Sequence, residues 1–419
     1  MGNCVFHKGI KMNENADKTN SRKDQILRSA FELMQKGEKW SLSEISAKLG
    51  ISKTAIYRHF SNKAEIEAEM DELFVSGLTE AIEQGGSTPN SLRTRAIDFF
   101  KGNNGFLHLF FGKFFSSPEY ELALFETLLK RSPRLAEWNA RAAKMDADRR
   151  AIEEISLIKN IISVMIISVN EPKMEVLQKD LLALLENGLK ADDFPGIAAN
   201  PQNMPDDKRL DELDGLCVLQ QSDLGEANRF FEAIAASIRE NGIHGTTIQK
   251  IAERMGTAKS SLYFYYNNKQ EMLKELVLSE TEAMKALCDR YSAHGRNFLE
   301  QLYILMMVQS QYLLLRPDIL PVFNWIRYEI IRTPIDHPKP ETEKALEGFL
   351  WQDFFGKDKR GEARAMATLK WASILSTSIV IQHNRKGSRS DSVSIRQMNR
   401  LMFHSMLAGD KIESEKESI

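Results

Sequence analysis

The stretch Ile45–Ile66, ISAKLGISKTAIYRHFSNKAEI, and the stretch Ile251–Met272, IAERMGTAKSSLYFYYNNKQEM, are one pattern written twice. A shift of 206 places Ile45 on Ile251, Gly50 on Gly256, Lys53 on Lys259, Tyr57 on Tyr263, Asn62 on Asn268, Lys63 on Lys269 and Glu65 on Glu271. Those seven identities in 22 positions stand against roughly one or two expected from ordinary composition. A repeat of this length decides architecture before any single element does. The chain carries one module twice.

Each copy opens with apolar residues at helical spacing, Ile26, Leu27, Ala30 and Leu33 in the first and Phe231, Ile234, Ala235 and Ile238 in the second. Gly37 and Gly242 are expected to stop these helices. Ser41-Leu42-Ser43-Glu44 reads as a capping box that starts a second helix, and Thr246-Thr247-Ile248-Gln249 is its counterpart. Both second helices end at glycine, Gly50 and Gly256. A two-residue turn then leads into a third helix, expected over Lys53–Phe60 and Lys259–Tyr266, and Lys63 or Lys269 opens a fourth.

A short helix, a glycine turn and a second short helix with polar residues at its start have the geometry of a helix-turn-helix. One lone copy would be read equally well as an ordinary helical hairpin. The duplication and the two segments Ile51–Lys63 and Ser260–Glu271 shift the balance. Both segments resemble the recognition-helix signature of the tetracycline-repressor-like (TetR) family of bacterial transcriptional regulators, strongly over residues 22–70 and 226–275. The resemblance implies an all-α fold of two TetR-like units, each a helix-turn-helix module followed by a helical domain that binds a small molecule and dimerises. Double-stranded DNA and a small apolar effector are the implied partners.

A helix in the major groove offers its N-terminal turn to base edges while its flanks meet phosphates. Lys53, Thr54, Ala55 and Tyr57 occupy that turn in copy one, and Lys259, Ser260, Ser261 and Tyr263 in copy two. The resemblance implies that Tyr57, His59 and Lys63 anchor the DNA backbone, with Tyr263, Tyr265 and Lys269 in those places in copy two. Arg58, Phe264 and the second-helix residues Ser41 and Thr247 complete the candidate contact set. Ile56 and Phe60 are expected in the core.

Copy two departs from the pattern. Ala258 stands where Ser52 can cap its helix, and loss of a cap costs about 1 kcal/mol. Phe264 replaces Arg58, which leaves no other cation between Lys259 and Lys269. Weaker phosphate attraction follows, and with it an alternative function: a TetR-fold scaffold whose second DNA-binding module is degenerate. The run Lys8, Lys11, Lys18, Arg22 and Lys23 reads as a solvated tail in preference to a basic arm on DNA.

The pattern divides the chain into an N-terminal arm (1–21), a first DNA-binding module (22–73), a first helical domain (74–194), a linker (195–222), a second DNA-binding module (223–275), a second helical domain (276–407) and a tail (408–419). The linker assignment rests on the Pro, Gly, Asn and Asp of Asp192–Asp207. The first helical domain concentrates Phe99, Phe100, Phe106, Phe110, Phe111, Phe114 and Phe115. In the second, Tyr303, Met307 and Trp325 are the candidates to line an effector pocket, against the general tendency of aromatics at helical spacing to be core. The last helices of each half, Ile155–Val169 with Met174–Leu189 and Ala363–Ile381 with Val393–Leu407, read as association surfaces. One chain owning both pairs is expected to form a covalent pseudo-dimer, with a further pairing of two chains left open.

Composition excludes other classes. At 419 residues, 42% hydrophobic and 27% charged, with 23 Gly and 12 Pro, the chain is neither collagen-like nor wholly disordered. Its 56 Lys and Arg against 58 Asp and Glu make any nucleic-acid contact local. Cys4, Cys217 and Cys288 are too far apart in sequence for a C-x-x-C metal clip and fit a reducing cytoplasm. No apolar run reaches the roughly 20 residues that a membrane span requires. Scattered histidines and the lack of H-E-x-x-H, G-x-S-x-G or P-loop patterns argue against catalysis, and no cofactor or metal site is expected.

Overall fold

The computed structural model describes residues 22–35, 40–116, 118–170, 182–189, 204–225, 229–266, 269–317, 319–323, 346–385 and 392–408. Among them every regular element is a helix. They fall into two compact units divided between Lys144 and Met145.

The first unit holds α1 (Arg22–Gln35), α2 (Leu42–Leu49), α3 (Lys53–Tyr57), α4 (Lys63–Glu83), α5 (Pro89–Gly102), α6 (Asn104–Ser116), α7 (Pro118–Arg131) and α8 (Pro133–Ala142). Helix α4 leaves the DNA-binding module and packs on α5, α7 and α8. Its Phe74 sits among Phe99, Phe100, Phe106 and Phe110, with ring centroids 5.9–6.2 Å away. Phe31 of α1 meets Phe106 edge-on at 4.8 Å, so the module and the helical domain share one aromatic core. Gly77 lets α4 approach α5 closely, since a Cβ there would lie 2.9 Å from Phe99 Cε2. Ion pairs fix the outer face of α4, Asp71 with Lys113 and Glu72 with Arg131. The Arg131 guanidinium holds the Glu72 carboxyl below its ordinary range.

The second unit begins with α9 (Ala147–Asn170) and a helical stretch at 182–187. It continues with α10 (Asp207–Leu216), a 3-10 turn (Gln221–Leu224), α11 (Arg229–Gly245), α12 (Ile248–Met255), α13 (Lys259–Tyr265), α14 (Lys269–Ser292), α15 (Phe298–Leu315), α16 (Gln352–Phe355), α17 (Lys359–Arg385) and α18 (Ser392–Ala408). Helix α15 is buried on all its faces from Phe298 to Leu313, polar side chains included. Those polar groups are bonded, as burial demands. Gln309 donates to the Ser373 carbonyl at 2.8 Å, Gln311 to the Cys217 carbonyl at 2.7 Å, and Ser310 to Asn399 at 3.2 Å. Burial raises the pKa of Glu300, but Arg209 at 3.0 Å and Arg296 at 2.7 Å outweigh it and hold the carboxyl below its usual range.

The stretch expected to be a linker is helical over its second half. Asp206 accepts the Arg209 amide at 2.8 Å and starts α10, whose Leu210 and Leu213 are fully buried. The helix straps α15 to α18: Asp214 accepts from Tyr303 at 2.6 Å, and Arg400 binds both Asp211 and Asp214 at 2.7 Å. Helix α9, from the first half of the chain, packs on α17 and α18 of the second half. Trp371 Nε1 donates to Asn160 Oδ1 at 2.7 Å, and the Leu189 amide to the Met406 carbonyl at 2.9 Å. The N-terminal arm before Arg22 and the tail after Ala408 lie outside the described residues.

Candidate nucleic-acid interface

The two helix-turn-helix modules close their turns in the same way. Gly50 and Gly256 end α2 and α12 at φ 62° and 65°, a left-handed conformation that glycine adopts without strain. Their amides bond Ala47 O at 3.3 Å and Glu253 O at 3.1 Å, while the next amides, of Ile51 and Thr257, bond Ser46 O and Ala252 O at 3.1 and 3.0 Å. This is the paired Schellman pattern in both copies. No Cβ at either glycine would meet an atom within 4 Å, so the need is for backbone conformation and not for space.

The entry to each second helix is also matched, with two corrections. Ser41 Oγ accepts the Glu44 amide at 3.3 Å as expected. In copy two the cap is Thr247, whose hydroxyl accepts the Lys250 amide at 3.3 Å, and not Thr246, which is buried. Gly242 does not end α11, which runs through it to Gly245. Glycine only weakens a helix interior, by about 1 kcal/mol, and the chain leaves the helix where Thr247 begins the next one. The position of Gly37 lies outside the described residues.

The recognition helices are shorter than expected, ending at Tyr57 and Tyr265. In copy one the His59 and Phe60 amides both turn back to the Ile56 carbonyl, closing the helix early. Ile56 and Phe60 are buried, which sends their neighbours outward. Lys53, Thr54, Arg58 and His59 are exposed, Ala55 is half-buried, and Tyr57 keeps 52% of its surface exposed, too much for a core aromatic. Ser41 is half-buried at the start of α2. Lys63 is exposed at the first turn of α4, which is capped by Asn62 accepting the Glu65 amide at 3.0 Å. The Ser61 amide in turn donates to Glu65 at 2.5 Å and holds that carboxyl below its usual range.

Copy two presents the same frame with other groups. Thr247, Lys259, Ser260 and Ser261 are exposed, Leu262 takes the buried place of Ile56, and Phe264 is 84% exposed where copy one has Arg58. The side chains of Tyr263, Tyr265 and Lys269 lie outside the described residues. Helix α13 starts at Ala258 with no side-chain cap, whereas Ser52 Oγ accepts the Ala55 amide at 3.2 Å.

A sequence profile of the bacterial regulatory proteins, tetR family, matches residues 26–70 and again 230–276. The chain is a tandem tetR-family protein. No curated protein matches it. The two matches coincide with α1 to the start of α4 and α11 to the start of α14, so this tandem tetR-family chain holds two DNA-binding modules of a transcriptional regulator. Among the described residues no helix is long and apolar enough to cross a membrane, and no cluster of three metal-ligating side chains occurs.

The effector candidates are placed differently from the DNA candidates. Tyr303 and Met307 lie in the packed interior of the second unit, with the Tyr303 hydroxyl held by Asp214, and Trp325 lies outside the described residues. Two contacts beside the candidate face of copy one have no counterpart in the sequence pattern. Lys63 Nζ lies 4.3 Å above the ring centroid of Trp40, and Lys23 pairs with Glu69 at 2.9 Å while lying over Phe60. An aromatic placed just before the cap residue was the available signal for the first; nothing local announces the second.

Proposed function

We propose that this chain is a repressor that binds one asymmetric operator with both of its recognition helices and releases it when a small apolar effector binds. The observation that carries the proposal is the difference between the exposed faces of α3 and α13, with Lys53, Thr54 and Arg58 on one and Lys259, Ser260, Ser261 and Phe264 on the other. A homodimer of identical modules reads an inverted repeat; two unlike modules in one polypeptide read two unlike half-sites. The packing of α9 on α17 and α18 supports an intramolecular pseudo-dimer, because helices from both halves of one chain meet there. Recognition helices in successive major grooves stand about 34 Å apart. Cytoplasmic residence follows from this role.

The effector acts in this reading through the helical domains. A compound reaching Tyr303 and Met307 would have to displace the bond from Tyr303 to Asp214, and so loosen the strap α10 that leads into the second module. Linkage is reciprocal, so the operator weakens effector binding by the same factor. Selection of duplexes from a random pool tests the operator claim. Recovery of two unlike half-sites is expected, whereas a perfect inverted repeat would mean that two chains present the same copy to DNA.

A second reading, in which copy two serves as a protein-interaction surface on a tetR-type scaffold, is favoured by the exposed Phe264 and the uncapped start of α13. Under it the selected duplex would carry a single half-site.

A further inference from the structure

We propose that Trp40 is the positioning residue for Lys63, holding its ammonium on the DNA-facing side of copy one, a role that Thr246 at the aligned position of copy two does not take. The proposal rests on the reading of Lys63 as a phosphate anchor. Trp40 precedes the cap of α2 and is 7% exposed, so its ring is fixed by the core while one face remains open to the side chain of Lys63. Lys63 stands in the first turn of α4, and its Nζ lies 4.3 Å from the ring centroid, well inside the range of a cation–π contact. The ring therefore bridges the beginnings of α2 and α4, the two helices that flank α3 in sequence.

A ring face suits this task because it attracts the cation without accepting an N–H bond. Lysine has three donors, and the carboxylate of Glu67 is 3.5 Å away, longer than a good charge-assisted hydrogen bond. The donors stay available to phosphate oxygens. A free lysine side chain loses much rotamer freedom when it is fixed on a partner. Stacking on Trp40 removes part of that freedom before DNA arrives, which is the usual way that preorganisation raises affinity. The shift of 206 places Thr246 opposite Trp40, and Thr246 is buried with its hydroxyl 3.5 Å from Ser237 Oγ. A threonine has no ring face to offer Lys269.

The test uses the full chain and a fluorescein-labelled duplex of random sequence, with affinity measured by anisotropy between about 50 and 200 mM salt. Four variants are compared with wild type: Trp40→Phe, Trp40→Leu, Lys63→Gln and the double variant Trp40→Leu with Lys63→Gln. Lys63→Gln is expected to weaken binding and to reduce the magnitude of the salt slope by about one. Trp40→Leu is expected to weaken binding about two- to fivefold, Trp40→Phe by less, and the double variant no more than Lys63→Gln alone. An equal loss from Trp40→Leu in both backgrounds would show that Trp40 only packs the core, and the proposal falls. Emission of Trp40, taken as wild type minus Trp40→Phe, reads the stack without relying on the leucine variant to fold. Lys63→Gln should change this emission, and an unchanged spectrum overturns the stack. If wild type binds duplex but Lys63→Gln alters neither affinity nor slope, the anchor reading of Lys63 fails, and the proposal with it. If wild type binds no duplex at any salt, it is the DNA-binding function itself that fails.

Discussion

Copy one and copy two of the DNA-binding module share a backbone and differ in what they put on it. The residue before each recognition helix has nearly the same conformation, φ −76° and ψ 153° at Ser52 against φ −74° and ψ 146° at Ala258. Only the serine makes the cap. The turns match bond for bond, yet the end of the recognition helix carries Arg58 in one copy and an exposed Phe264 in the other. The scaffold of this fold is therefore set by a few capping and glycine positions, and the surface that meets DNA is free to diverge without disturbing it.

Three predictions bear on that contrast, taken from the largest effect down. Lys53→Ala and Tyr57→Ala should each weaken operator binding by about 1 to 3 kcal/mol if the lost group contacts a base, and relax preference in one half-site only. Selection repeated with each variant reads this, and a loss of preference in both half-sites would show that one copy serves both. Next, Ser52→Ala should destabilise the first module by about 1 kcal/mol, while Ala258→Ser should stabilise the second by a similar amount, since its backbone already has the cap geometry. Urea melts followed by hydrogen exchange at α3 and α13 would separate the two, and no gain from the serine would mean that the modules differ in more than side chains. Smallest is Phe264→Arg, which restores the copy-one residue and should steepen the salt dependence by about one ion. An unchanged slope would place α13 away from phosphate and favour the scaffold reading.

The modules were legible because helix punctuation is local chemistry. Ser41, Ser52, Gly50 and Gly256 act on groups within a few residues of themselves, and the repeat doubled the signal. Gly242 misled because a glycine inside a helix is tolerated when packing holds its neighbours, here Ile234, Ala235 and Ile238. Helix α10 was hidden by the Pro- and Asn-rich residues before it, although Asp206 followed by Leu210 and Leu213 is a cap and an apolar stripe. The Trp40–Lys63 stack joins residues from different helices, and no spacing rule reaches across α2 and α3 to find it. Likewise the polar residues of α15 read as ordinary helix, since their partners Ser373, Cys217 and Asn399 are dozens of residues away.

The packing of α9 has a consequence for the birth of the chain. Asn160 waits for Trp371, 211 residues later, and Ser156 for Met402, 246 residues later. At roughly 5 to 20 residues per second, the apolar face of α9 emerges from the ribosome on the order of 10 to 50 s before its partners exist. During that interval Ile152, Ile155 and Ile162, all buried in the finished protein, have nothing of their own unit's C-terminal helices to cover them. Contacts of such long range also fold slowly. A transcript cut short after the first half would therefore leave a sticky helix on view, a product for chaperones and proteases rather than a half-sized regulator.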